Sequence, residues 1–170
     1  SIVDDEAGAI RYSLTPLNFD SAVTITPFID GDVKNQDANY DEKFWDEVHK
    51  ETHHGSAYLN LRTKKTGFHV CTGMKFAIQQ DGKAVEFLSA PVEREKYVAN
   101  KVTLSVKEKQ ETVIYKYAAN LSSENHDKEL LVHETKKVIE HISQKGFALM
   151  LKEQAQAWAA KWVESDIVIE

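Results

Sequence analysis

The spacing of the apolar residues changes once along this chain, and that change most constrains its fold. From Ala9 to about Leu121 the apolar residues recur with a period of two, which is typical of strands that bury one face. After Asn125 they recur with the period of a helix. The sequence therefore predicts a mostly β protein, with an antiparallel β-sandwich over residues 1–124 and two helices over residues 125–170.

Six segments carry the strand pattern. The first two, residues 10–15 and 23–26, predict two adjacent strands. The other four are Tyr58 to Arg62, His69 to Ile78, Lys101 to Val106 and Thr112 to Tyr117. Gly73 lies inside the fourth of these six segments. Because glycine within a strand often marks a bulge, we expect a bulge there.

Two short polar segments predict turns between strands. Asp81-Gly82 is a dipeptide that tight hairpins prefer, and we expect the chain to return from it into a strand over Val85 to Leu88. The polar stretch Lys107 to Glu111 separates the last two predicted strands. It is expected to form an exposed hairpin loop.

Two helices are predicted after Asn125. The first has a stripe of residues at helical spacing, and Asn125 or Asp127 is placed to cap its start and Gly146 to end it. This stripe consists of Leu131, Thr135, Val138, Ile139 and Ile142. The second helix starts at about Phe147 and places Leu151, Ala155, Trp158 and Trp162 on one face. Such a face must dock on other polypeptide, and we expect the natural chain to continue past both ends of this sequence.

The charge and cysteine content exclude several kinds of partner. The formal net charge is -6 and no basic stripe is present, which argues against nucleic acid and against an anionic membrane surface. No apolar run approaches the roughly 20 residues that span a bilayer, and the first residues do not resemble a signal peptide, so we expect a cytoplasmic protein. The single cysteine, Cys71, is expected to be buried and inert.

Seven histidines raise the question of a metal site. The densest groups are His49, His53 and His54 and, on the first predicted helix, His133 and His141. His49 and His53 could share a helical face, but no zinc-protease signature surrounds them. The loop from Asp30 to Glu42 is rich in oxygen donors, yet its glycine stands second and not sixth, which is the wrong register for calcium. We therefore predict no metal site and no cofactor.

The motifs of common catalytic sites are also missing from the sequence. It contains neither a glycine-rich phosphate loop nor a nucleophile elbow. Asp46 with Glu47, and Glu93 with Glu95, could be imagined as an acid and a base, but charge runs of this sort are usually solvated faces. We therefore predict no catalytic residue within the chain.

Several segments, in this order, resemble one known domain. They are Ile10 to Phe19, Ile29 to Asn35, Asn39 to Trp45, Thr63 to Phe68 and Trp158 to Ile167. Together they make nearly the whole chain similar to the N-terminal domain of glycoside hydrolase family 65. That family includes maltose, trehalose and kojibiose phosphorylases.

This resemblance implies part of a large, galactose-mutarotase-like β-sandwich, followed by linker helices that lead into an (α/α)₆ catalytic barrel. It also implies that the chain begins inside the sandwich and does not include the barrel. In such phosphorylases a glutamic acid of the barrel protonates the glycosidic oxygen while inorganic phosphate, the co-substrate, inverts the anomeric carbon. No segment here matches the barrel, so no catalytic or phosphate-binding residue can be carried over.

The resemblance implies that this chain is a fragment of an inverting disaccharide phosphorylase that acts on an α-glucoside, and that its role is architectural. Its expected partners are the catalytic barrel of the same parent chain, the parent's disaccharide, and further copies of itself, because incomplete sheets expose edges. The loop from Asp30 to Trp45 is the expected interface segment. Two alternatives stay open: a free-standing carbohydrate-binding module and a mutarotase-like sugar epimerase.

Overall fold

The computed structural model describes residues 5–34 and 42–165, which form ten strands and two helices. The strands are β1 (Ala7–Leu14), β2 (Ser21–Ile25), β3 (Phe28–Asp30), β4 (Trp45–His53), β5 (Ser56–Thr63), β6 (His69–Gln80), β7 (Lys83–Ala84), β8 (Ser89–Arg94), β9 (Tyr97–Val106) and β10 (Thr112–Ser122). The helices are α1 (Leu131–Lys145) and α2 (Phe147–Ser165). The predicted fold class, antiparallel sheets followed by two helices, is confirmed.

The strands form two antiparallel sheets. The large sheet has the order β1-β10-β6-β5-β4, and β7 pairs with β6. The small sheet is built around β9, which pairs with β2 and β3 along one side and with β8 along the other. The strands β2 and β3 keep one register along β9, from Ser21 opposite Val106 to Asp30 opposite Tyr97. They act as a single edge strand that is interrupted before Phe28.

The core between the two sheets follows from the alternation seen in the sequence. Along β9 every second residue from Val102 to Val106 is buried and faces the large sheet. The buried residues between the sheets form two clusters, one of Ile29, Ala57, Leu59, Met74 and Val98 and one of Phe76, Ile78, Val102, Leu104 and Ile114. Burial of these apolar side chains between the sheets stabilises the sandwich, because each Å² of apolar surface removed from water contributes about 25 cal/mol.

Helix α1 covers the opposite face of the large sheet. Its predicted stripe is confirmed: Leu131, Thr135, Ile139 and Ile142 are buried, and Val138 is partly buried beside them. They pack on side chains of β5, β6 and β10, among them Tyr58, Cys71 and Leu121. The large sheet is therefore a middle layer, which explains why residues 57–60 of β5 are buried without alternation.

The prediction of a bulge at Gly73 is wrong. The residues on either side of Gly73 keep one register with both neighbouring strands. A Cβ atom at this position would lie 2.7 Å from Cγ2 of Thr135 and 3.0 Å from Cγ1 of Ile139. Glycine is needed because α1 approaches the sheet closely there. The register shift in the large sheet lies instead between Glu47 and His49.

Several predicted strand connections need correction. The strands β1 and β2 lie in different sheets and are not adjacent. The Asp81-Gly82 turn is confirmed by its positive φ angles of 47° and 76°, but the chain returns in β-structure only over Lys83–Ala84, and the predicted strand over Val85 to Leu88 is wrong. After Val85, whose amide still donates to the Ile78 carbonyl at 3.0 Å, the chain crosses to the small sheet.

The Lys107 to Glu111 segment also connects the two sheets, because β9 belongs to the small sheet and β10 to the large one. It is exposed for most of its length, as expected, but it is not a hairpin loop.

The predicted cap of the first helix is wrong as well. The residue at the N-cap is Leu130, which makes no side-chain capping hydrogen bond. Asp127 instead accepts a hydrogen bond of 3.0 Å from the amide of Glu129, within the turn before the helix. Gly146 ends α1 as predicted, with φ of 79°. Within the parts of the chain that the structure describes, neither helix is long and apolar enough to cross a membrane.

Candidate domain interface

Helix α2 packs on the rest of the protein near its start. The ring of Phe147 lies 5.6 Å from that of Tyr115, and Met150 packs against the core beneath α1. An ion pair of 2.9 Å joins Lys145 and Glu153. None of the 19 residues of α2 is buried. Most side chains in the second half of this helix are exposed.

The second half of α2 carries both tryptophans of the helix on one side, as their spacing predicts. The indole rings of Trp158 and Trp162 stack with their centroids 6.2 Å apart. Trp158 is 42% exposed and Trp162 is 55% exposed, and Leu151, on the same side, is 56% exposed. We call these three side chains the tryptophan face. An apolar face of this kind is typical of an interface with other polypeptide.

The loop from Asp30 to Trp45 is described only at its two ends, because residues 35–41 lie outside the described residues. Gly31 donates its amide to the Lys96 carbonyl at 2.8 Å, and the carboxylate of Asp32 pairs with the ammonium groups of Lys43 and Lys96. Trp45 is the first residue of β4 and is partly buried. Its aromatic neighbour Phe44 accepts a hydrogen bond of 2.9 Å at its carbonyl from Lys64. These contacts anchor both ends of the loop on the sandwich.

The histidines of the first candidate group lie on a strand and not on a helix. His49 and His53 belong to β4, on either side of Glu51, whose carboxylate lies 3.7 Å from His49 Nε2 and 2.9 Å from His53 Nε2. The same carboxylate pairs with Lys136 of α1 at 2.6 Å. Within residues 5–34 and 42–165 no three His, Cys, Asp or Glu side chains are placed to hold a metal ion.

The other histidines are also dispersed. The Nε2 atom of His54 lies 2.7 Å from the carbonyl oxygen of Phe87, and the two rings stack with centroids 5.1 Å apart. His133 and His141 are exposed on α1. None of these three converges with the pair on β4.

The two carboxylates of the first candidate pair have separate partners. Asp46 lies 3.7 Å from Arg62, and Glu47 pairs with Lys50 at 3.0 Å. Desolvation raises the pKa of Glu47, but hydrogen bonds from the Lys96 amide and the Lys50 ammonium outweigh it, so its pKa lies below the usual value. A general acid at neutral pH needs the opposite shift. Glu47 is therefore suited to an ion pair.

The second pair, Glu93 and Glu95, is on the surface near the end of β8. Glu95 forms an ion pair of 3.3 Å with Lys96, and its own side chain is 83% exposed. Two exposed carboxylates in this setting are solvated charges, as the sequence suggested.

Cys71 is buried, as predicted, between the large sheet and α1. Burial raises the pKa of its thiol to about 11. At pH 8 roughly one thiol in a thousand is then ionised, against about a quarter in the unfolded chain.

We expect iodoacetamide to alkylate Cys71 in the native protein at least 100-fold more slowly than in the urea-unfolded protein. Mass spectrometry measures both rates without background, since the sequence has one cysteine, and equal rates would contradict the expectation.

Comparison with known proteins assigns this chain to a family. Residues 1–161 match the family model described as glycosyl hydrolase family 65, N-terminal domain. The chain belongs to this family. The match spans both sheets, α1 and most of α2.

Two relatives show the size of the proteins in which this region occurs. The maltose phosphorylase of Bacillus subtilis (strain 168) is 25% identical over 173 residues, covering 100% of this chain and 22% of that protein. A solved structure from the human microbiome that bears the name kojibiose phosphorylase superposes with a TM-score of 0.81 at 17% identity, covering 97% of this chain and 21% of that one. The superposition on this solved structure shows that the two chains share a fold. The chain spans about a fifth of the length of both relatives.

One surface feature was not indicated by the sequence. A cleft lies beside β1, between the two sheets, and contains Lys116. Its walls come from three segments of the chain, residues 10–12, 25–28 and 114–116. A lysine in the period-two alternation of β10, where an apolar residue would fit, is the signal that could have drawn attention to it.

Proposed function

We propose that this chain is the accessory β-sandwich and helical connector of an inverting disaccharide phosphorylase. The whole enzyme would convert an α-linked glucoside and inorganic phosphate into β-glucose 1-phosphate and the released sugar. One observation carries this proposal: the family 65 N-terminal model matches residues 1–161, while the chain spans 22% of the maltose phosphorylase it resembles.

The catalytic acid of the proposed enzyme would lie outside residues 1–170. A general acid needs a carboxyl with a raised pKa in a cleft. Lys43 and the Lys96 ammonium lower the pKa of Asp32, and among the described residues Glu47 and Glu51 are likewise held ionised by basic partners despite desolvation. This chain would contribute structure, and the chemistry would belong to the catalytic region of the longer protein.

The tryptophan face would be the main contact with that catalytic region. Each indole can bury roughly 150–250 Å², and Trp158 and Trp162 are still 42% and 55% exposed. At about 25 cal/mol per Å², covering the exposed part corresponds to several kcal/mol for the pair as an upper estimate. The anchored loop from Asp30 to Trp45 would add a second contact. The enzyme would be cytoplasmic and would form a homo-oligomer.

The activity is tested with the longer protein and with residues 1–170 alone. We expect the longer protein to cleave maltose or a related α-glucoside only when phosphate is present, and residues 1–170 to be inactive. Release of β-glucose 1-phosphate is measured over a disaccharide panel. If residues 1–170 split or isomerise a sugar at an enzymatic rate, the proposal is wrong. Binding of maltose by residues 1–170 without phosphorolysis in the longer protein would favour the carbohydrate-binding module.

The docking role is tested in the longer protein by replacing Trp158 and Trp162 with alanine. We expect a lower Tm and faster proteolysis between the two regions, because the apolar contact is lost. The sugar preference should stay the same. Gln156→Ala is the matched control, since helical spacing of about 100° per residue puts Gln156 on the side away from Trp158. A changed preference with an unchanged Tm would place the tryptophans at the substrate.

A further inference from the structure

The cleft beside β1 is an opening of about 480 Å³ between the edges of the two sheets. The large sheet contributes Ile10 and Tyr12 from β1 and Ile114 and Lys116 from β10, and the small sheet contributes Ile25 and Phe28. Apart from Lys116 and Thr26, the lining residues present apolar surface or rings. The lining is therefore mostly apolar, although it is exposed to solvent.

The two sheets leave this cleft open because they end at different places. In the large sheet Ile10 pairs with Lys116 and Tyr12 pairs with Ile114, so these side chains share the face that looks toward the small sheet. Ile114 is 6% exposed because Ile25 of β2 packs with it in the core cluster between the sheets. One strand further out, Ile10 and Tyr12 are each 58% exposed. No described strand of the small sheet lies opposite β1.

Among the described residues, each strand that borders the opening pairs with a neighbour on one side only. β1 is the last strand of the large sheet, and the β2–β3 edge strand is the last of the small sheet. Neighbouring strands lie about 4.8 Å apart. One strand added beside β2 and β3 would therefore lie over β1 and cover Ile10 and Tyr12.

Lys116 indicates the charge of a segment that could fill this cleft. Its ammonium donates a hydrogen bond of 2.6 Å to the Phe28 carbonyl and lies 5.7 Å from the centroid of the Phe28 ring. Within the described residues no carboxylate forms an ion pair with it. Desolvation lowers the pKa of Lys116. A partly buried ammonium without a counter-charge fits an incoming carboxylate.

We propose that an extended segment from outside residues 1–170 of the whole protein fills this cleft, pairs with β2 and β3, and places an Asp or Glu side chain against Lys116. The proposal rests on the proposed function, in which this chain is part of a longer protein. The relatives supply enough polypeptide, since this chain spans 22% of the maltose phosphorylase. The segment would alternate apolar and polar residues, because every second side chain would face Ile10 and Tyr12.

The proposal is tested by comparing Lys116 in residues 1–170 and in the longer protein. Reductive methylation with formaldehyde is expected to modify Lys116 at least 10-fold more slowly in the longer protein. Lys101, exposed on β9, serves as the control and should react equally in both. A carbodiimide should link Lys116 directly to an Asp or Glu outside residues 1–170, and mass spectrometry identifies that residue.

The Lys116→Met variant gives a second test, because its Tm should change in opposite directions in residues 1–170 and in the longer protein. In residues 1–170 the Lys116→Met change should leave the Tm unchanged or raise it, because it removes from an apolar site a charge that pairs with no carboxylate among the described residues. In the longer protein it should lower the Tm by roughly 5 °C or more, because the incoming carboxylate loses its partner.

Three results would overturn the proposal: equal methylation of Lys116 in both proteins, a Tm change of the same sign in both, or a cross-link to a second copy. Mixing ¹⁴N- and ¹⁵N-labelled protein separates links within one chain from links between copies. Phosphorolysis with a freely reactive Lys116 would contradict this proposal alone. A protected Lys116 in a longer protein without phosphorolysis would contradict the proposed function alone.

Discussion

The Ile139→Ala variant is expected to lose about 2–5 kcal/mol of unfolding free energy, the largest effect of a single substitution that we predict. Ile139 is 0% exposed and lies at the centre of the layer between α1 and the large sheet. Its side chain packs close to the backbone of Gly73. Truncation would remove apolar contacts on both sides and leave a cavity that neither the helix nor the sheet can close.

Urea unfolding followed by circular dichroism measures this loss. The matched control is Val163→Ala on α2, where the side chain is 87% exposed and the change should stay within about 0.5 kcal/mol. Equal stabilities of the two variants would mean that α1 does not pack on the sheet as the structure shows.

The Gly73→Ala variant is expected to lose about 1–3 kcal/mol, although alanine usually suits a strand better than glycine. The added Cβ would lie 2.7 Å from Thr135 Cγ2 and 2.9 Å from Tyr58 Cδ1. Thr135 cannot easily rotate away, because its hydroxyl donates a hydrogen bond of 2.8 Å to the Leu131 carbonyl. The helix would have to move off the sheet.

Gly8→Ala is the control for this prediction. Gly8 is also a strand glycine, on β1, but a Cβ there would meet nothing within 4 Å. We expect Gly8→Ala to be neutral or to stabilise the protein by about 0.5–1 kcal/mol. The difference between the two glycine variants, measured in the same urea series, isolates the close approach of α1. A difference near zero would refute that close approach.

Both predictions also bear on the division of the chain at residue 124, which stays a prediction. The first helix buries Leu131, Ile139 and Ile142 against the large sheet, whereas no residue of α2 is buried. If the Ile139 and Gly73 variants unfold the sheets and α1 in one transition, α1 folds as part of the sandwich. The independent connector would then be α2 alone.

The sequence did not predict β3, β4 and β8. Among the described residues, each of these strands pairs with one neighbouring strand only. The segment Trp45–His53 forms β4, the outer strand of the large sheet, but its sequence is rich in charged residues and lacks clear alternation. An edge strand needs little apolar surface, and its polar side chains protect the edge from pairing. Its hydrogen bonds to β5 define it, and these depend on a partner that the segment itself does not encode.

The sequence by itself determined the positions of most strands, the buried stripe of α1, the exposed tryptophans of α2 and the family to which the chain belongs. Each of these depends on the order of residues within a short segment, because periodicity decides which side of a strand or helix is apolar. Only the tertiary structure decided which sheet each strand joins, why position 73 must be glycine, and that Lys116 lies in an open cleft. These features arise where segments distant in the sequence meet, so their physical cause is packing between elements and not the preference of any one of them.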